Sequence, residues 1–241
     1  MSAAFRPAPT IILIPLATVL GALVGFALGL PWLLPLLCAA PGCAALWAGL
    51  SRGTRGRTVL LVLLWAGTLA VTLTWLSYAW NDRAAQVILN GPAYRDEMRA
   101  WILSGQGRES SPALFIPQHL MHLGAFAALS LATAGAAGLV MGSVLLGYMS
   151  FYVGDLARSA SHCAPAWAAL LAWNPWSIVR VVSFIVLGVV LAEPLLSRRR
   201  AVPPGSRRGW IAGALAGAAA DIVLKAALAP AWSRLLSACL G

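Results

Sequence analysis

From Glu109 to Asp155 the chain reads ESSPALFIPQHLMHLGAFAALSLATAGAAGLVMGSVLLGYMSFYVGD, apolar for long enough to cross a lipid bilayer twice. A stretch of this kind leaves few folds open. A spanning helix takes roughly 20 mainly apolar residues, because the hydrocarbon core is about 30 Å thick and a helix rises about 1.5 Å per residue. The rest of the chain is built the same way. Of its 241 residues, 60% are hydrophobic and only 10% are charged, where soluble domains carry about a quarter charged residues. The expected fold is therefore an all-α, polytopic integral membrane bundle, with residues 1–241 forming one transmembrane domain.

The apolar runs predict about seven transmembrane helices, at residues 11–30, 31–50, 58–80, 113–131, 135–153, 178–196 and 210–229. The first run outlasts a signal peptide and is followed at once by another span, so it reads as a retained helix. On it, Gly21, Gly25 and Gly29 repeat every four residues, a spacing that lets helix backbones approach closely. Span two holds Pro35, Pro41 and Gly42 and is expected to be kinked or broken.

Two connections, SRGTRGR at 51–57 and SRRRAVPPGSRRG at 197–209, carry three and five arginines and no acid. Arginine-rich short loops stay in the cytoplasm, so seven spans leave the N-terminus cytoplasmic and the C-terminus external. Topology thus accounts for the formal charge of +10 without nucleic acid as a partner. The implied partners are the lipid bilayer and, for a subunit of a larger assembly, other membrane proteins. Richness in Ala, Gly and Arg points to a bacterial source and hence to an inner membrane.

Two segments fall outside. Residues 81–111 form a charge-balanced loop in which Tyr94, Met98, Trp101 and Ile102 share one face of a short amphipathic helix, residues 93–103, lying on the surface or over a cavity mouth. Residues 154–177 are too short and too interrupted to span and read as interfacial or re-entrant. Cys38, Cys43, Cys163 and Cys239 lack metal-ligand spacing and are expected to pack as small apolar residues.

Ionisable side chains at membrane depth are costly, so they face a cavity or one another. Those here are His119 and His122, at i and i+3 on one helix face, with Arg180, Asp221, Lys225 and, near the arginine-rich side, Glu193. Counting along the spans places the first five in the outer half of the membrane, with Asp155 at the outer end of span five. His119 and His122 can bind cargo, shuttle protons, or hold a metal or a haem; Asp155 and His162 are the candidates to complete a metal set. Arg180 attracts an anionic group. Each residue also has a plainer reading: packing for the histidines, an i,i+4 ion pair for Asp221 with Lys225, snorkelling to headgroups for Arg180, and contact with Arg198 to Arg200 for Glu193.

No Walker loop, His-Glu-x-x-His, Cys-x-x-Cys or Gly-x-Ser-x-Gly is present, so those enzyme classes are set aside. The leading expectation is a small transporter-like or channel-like component, or a subunit of a larger membrane assembly, with an outward-facing polar cavity and the 93–103 helix as its lid. A membrane-embedded enzyme or redox subunit binding metal or haem through His119 and His122 comes second. A purely structural subunit comes third.

Overall fold

The computed structural model describes residues 7–52, 54–196 and 204–241, and these are all-α: α1 (Pro7–Leu28), α2 (Leu33–Arg52), α3 (Arg55–Ala79), α4 (Asn81–Val87), α5 (Gly91–Ser104), α6 (Pro112–Ala132), α7 (Ala136–Ser159), α8 (Pro165–Ala172), α9 (Pro175–Leu196) and α10 (Pro204–Leu240). Five of them begin on a proline, which suits a first helical turn because its N–H groups have no partner within the helix. Seven, namely α1, α2, α3, α6, α7, α9 and α10, are long and apolar enough to cross a membrane. The chain is a multi-pass membrane protein by this measure, since a helix is the way an apolar run satisfies its own backbone in hydrocarbon.

The central helices are α3 and α7, packed on each other, with α1 and α2 on one flank and α6, α9 and α10 on the other. Trp65 of α3 is fully buried and donates from Nε1 to the Cys38 carbonyl at 2.8 Å, fixing α3 against α2. The glycine face of α1 meets α2: a Cβ at Gly21 would strike the Leu37 carbonyl, and one at Gly25 would strike Leu34. The turn between α6 and α7 holds Gly135 at φ +89°, a left-handed conformation that costs glycine nothing, and Trp47 anchors it by donating to the Ala134 carbonyl at 3.0 Å.

The helix ends that flank the two arginine-rich connections meet at one end of the bundle. Arg55, at the start of α3, meets Glu193, near the end of α9, at 2.7 Å. Arg198 to Arg200, the expected partners of Glu193, lie outside the described residues. The 51–57 connection is tighter than expected, since α2 runs through Arg52 and α3 begins at Arg55, with the Thr54 hydroxyl accepting from the Arg57 amide. Pro41 does not break α2, which is one helix from Leu33 to Arg52.

The opposite end holds the exposed Trp75, Tyr78 and Trp80 together with α4, α5 and α8. Here a second apolar core forms from Met98, Trp101, Ile102, Tyr152, Trp176 and Leu236. The amphipathic helix does not lie loosely on the surface; as α5 it buries its apolar face in this core. Span seven does not end near Ala229 as its composition suggests, because α10 continues to Leu240 with Pro230 inside it. A proline removes only one backbone bond, and the last turns are held by buried Ala229 and Leu236, by Trp232 donating to the Leu171 carbonyl at 2.8 Å, and by a disulfide between Cys163 and Cys239. That disulfide corrects the expectation that all four cysteines merely pack; Cys38 and Cys43 are the free ones.

Candidate functional site

Directly beneath the second core, α6, α9 and α10 bring their ionisable side chains to one level. Asp221 is 1% exposed, and Arg180 donates to both of its oxygens, from Nε to Oδ2 at 2.8 Å and from Nη2 to Oδ1 at 3.1 Å. This bidentate geometry is the strongest an arginine makes with a carboxylate. Arg180 therefore points inward and does not snorkel, because a buried carboxylate one helix away attracts it more strongly than the headgroups do. Asp221 and Lys225 do not form the expected i,i+4 pair. Lys225, 2% exposed, extends to Glu109 Oε1 at 2.7 Å and lies 4.6 Å from the centre of the Phe115 ring.

His119 links α6 to this pair. Its Nδ1 is 2.9 Å from the Phe115 carbonyl, and its Nε2 is 3.1 Å from Asp221 Oδ2, near enough for an ion pair but not directed as a full hydrogen bond. A carbonyl only accepts, so Nδ1 carries the hydrogen, and a neutral imidazole has no second one to offer. In the neutral ring Nε2 presents its lone pair to a carboxylate oxygen, and in the imidazolium it donates to that oxygen. One added proton on either partner turns that contact into a charge-assisted hydrogen bond.

A cavity of about 50 Å³ adjoins the network, lined by Arg180, His122 and Tyr148 among apolar neighbours that include Trp65, Phe126 and Met149. At roughly 10–15 Å³ per enclosed water it holds a few water molecules or one small ion. Tyr94 of α5 packs against Tyr148 with ring centres 4.6 Å apart and the planes tilted by 45°, and meets Tyr152 edge-on. Burial, with the Glu109 carboxylate in reach, pushes the Tyr94 phenol well above its ordinary range, so it stays protonated at neutral pH.

His119, His122, Arg180, Asp221 and Lys225 thus share one neighbourhood. Asp155 and His162 do not belong to it. Asp155 lies 3.8 Å from Arg95 of α5, and His162 sits beside Ser161 and against Gly241, just past the end of α10. Among the described residues no three His, Cys, Asp or Glu side chains gather as a metal set. The physical reason is helix direction: Asp155 and His162 are close in sequence, but α7 turns its carboxylate toward α5.

The residue that sequence reasoning misses is Glu109, which reads there as one charge in a balanced external loop. Glu109 is 8% exposed and neutralises Lys225. The available signal was Lys225 itself: an ammonium deep in an apolar helix demands an acid, and Glu109 is the acid just ahead of the apolar run that re-enters the membrane. Comparison with protein-family models, with characterised proteins and with solved structures yields no match.

Proposed function

We propose that the chain is a small transporter-like component of a bacterial inner membrane, acting as one transmembrane unit and handling its cargo at the His119, His122, Arg180, Asp221 and Lys225 network. One observation carries the reading: two anions and Lys225 are buried and Arg180 is part-buried, a histidine meets one of the anions, and the groups are drawn from three membrane-length helices and the segment before α6. Burying ions costs several kcal/mol each before pairing, on the order of what a whole domain's net stability can absorb only once or twice. Apolar residues would hold these helices together with no such penalty. Asp221 of α10 meets one group from α6 and one from α9, so a displacement of either helix against α10 changes what neutralises it.

The arginine-rich end then faces the cytoplasm by the positive-inside rule, and the Cys163–Cys239 disulfide faces the oxidising side. A membrane-impermeant maleimide on single cysteines checks this orientation: Ser104→Cys is expected to label in intact cells and Thr54→Cys only after lysis.

The transport reading is tested with protein in proteoliposomes carrying an internal pH dye, screened against small anions, cations and neutral solutes. Solute-driven flux that Asp221→Asn abolishes is expected. Absence of flux for every class, from protein that binds solute in none of them, overturns the reading. The structural-subunit reading, third on sequence grounds, moves up to second because α6 and α10 are the least enclosed of the seven helices: 17% of the membrane-length stretch on each is buried, against 56% on α7. Co-purification of a partner that covers them favours that reading.

A further inference from the structure

Resting on the transport reading, we infer that the network takes up a proton and one small monovalent anion together, the proton at His119 and Asp221 and the anion in the cavity between Arg180 and His122.

The charge count supplies the reason. Arg180 and Lys225 balance Asp221 and Glu109, so the network is neutral when His119 is neutral. The titratable groups within reach are Glu109, His119, His122, Arg180, Asp221 and Lys225, with the phenols of Tyr94, Tyr148 and Tyr152 from α5 and α7. The geometry at His119 has a seat for one further proton, since both ring nitrogens face acceptors, Phe115 O at 2.9 Å and Asp221 Oδ2 at 3.1 Å. Filling that seat from solvent forms one N–H bond at Nε2 and leaves the network with a net charge of plus one.

An uncompensated charge in a low-dielectric interior is strongly disfavoured. Once Asp221 shares its charge between His119 and Arg180, the guanidinium has positive charge to spare, and it already lines the cavity. His122 stands on the same wall. An anion there restores neutrality, and a cation would worsen the excess. The volume, about 50 Å³, suits a guest of the size of a halide or formate. Each ligand removes the other's electrostatic cost, so the two bind with positive coupling.

The test uses the purified full chain in detergent, with chloride and formate as probes. Calorimetric titration is expected to give saturable binding of one anion. The same titration in weakly buffered solution with a pH indicator is expected to show about one proton taken up per anion, and affinity is expected to fall about tenfold per pH unit while the free protein holds no proton at this seat. His122→Ala is expected to weaken the anion at least tenfold, and His119→Gln to abolish proton uptake while weak anion binding persists. Saturable binding without proton uptake overturns the coupling, and binding unchanged in His122→Ala overturns the location. No saturable binding of either probe overturns the inference outright. Because the first measurements use the unaltered protein, a variant that fails to fold does not shield the idea. Transport of a cation or a neutral solute in the liposome screen overturns this inference and leaves the transport reading standing.

Discussion

Arg55 with Glu193 and Arg180 with Asp221 are both arginine pairs on a buried carboxylate, one toward each end of the same bundle, yet they are built differently. At the first, Arg55 Nε and Nη2 both donate to Glu193 Oε2, joining the start of α3 to the end of α9 beside the connections where arginines concentrate. At the second, the carboxylate is approached from two helices, by Arg180 and by His119, and the arginine also lines a cavity. Burial alone does not separate the two ends. Among the described residues, what sets the second apart is a titratable ring against its carboxylate and a cavity into which its arginine can direct charge.

The largest effect is expected where a charge is stranded. Lys225→Met leaves Glu109 buried without its ammonium, and loss of one partner of a buried pair costs about 3–5 kcal/mol. Thermal unfolding in detergent is expected to show it, with most of the loss recovered in Glu109→Gln combined with Lys225→Met. Glu193→Gln removes the carboxylate to which Arg55 donates and is expected to cost stability on a comparable scale while leaving flux intact. Flux lost in Glu193→Gln would erase the distinction between the two ends.

Next in size, Cys163→Ser removes a cross-link closing 76 residues, expected to cost about 2–4 kcal/mol by the chain-entropy argument. Unfolding midpoints with and without reductant check it, and alkylation of the native protein is expected to spare Cys163 and Cys239. Asp221→Asn keeps the shape but removes the charge that Arg180 and His119 share; the Arg180 side chain is 18% exposed, so it is less stranded than a buried ion, and the cost is expected at about 1.5–3 kcal/mol for hydrogen bonds to a charged group. Its diagnostic result is loss of flux out of proportion to the stability change.

The smallest expected change in stability is that of His119→Gln, about 1 kcal/mol for one hydrogen bond. A glutamine amide can donate to Asp221 but takes up no proton, so the pH dependence of flux is expected to flatten. A pH profile unchanged in this variant would remove the reason for treating the two ends as different.

Much of the fold is legible in the chain because the bilayer imposes a length and a composition on each span. The runs at 58–80, 113–131 and 178–196 correspond to α3, α6 and α9 within about three residues, and the run at 135–153 corresponds to α7, which continues to Ser159, into the segment expected to lie outside the spans. The C-terminal end is less legible. Beyond Ala229 the sequence no longer shows a span, and α10 persists there because of Trp232, Leu236 and Cys239, whose partners are distant in sequence.

The candidate site is legible as a set of residues and not as a set of partners. His119, Arg180, Asp221 and Lys225 stand out in sequence because charge is rare and costly at membrane depth. Which carboxylate meets which cation depends on how three helices rotate about their axes, and composition carries no record of that. Asp221 and Lys225 share a helix face, yet Asp221 turns to Arg180 and Lys225 to Glu109, because the α9 guanidinium and the Glu109 carboxylate lie within reach from neighbouring elements. Amino-acid order dictates that these charges are buried in apolar helices and must be answered; the packing of α6, α9 and α10 selects the answering group, since an ion pair forms between whichever opposite charges that packing brings within reach.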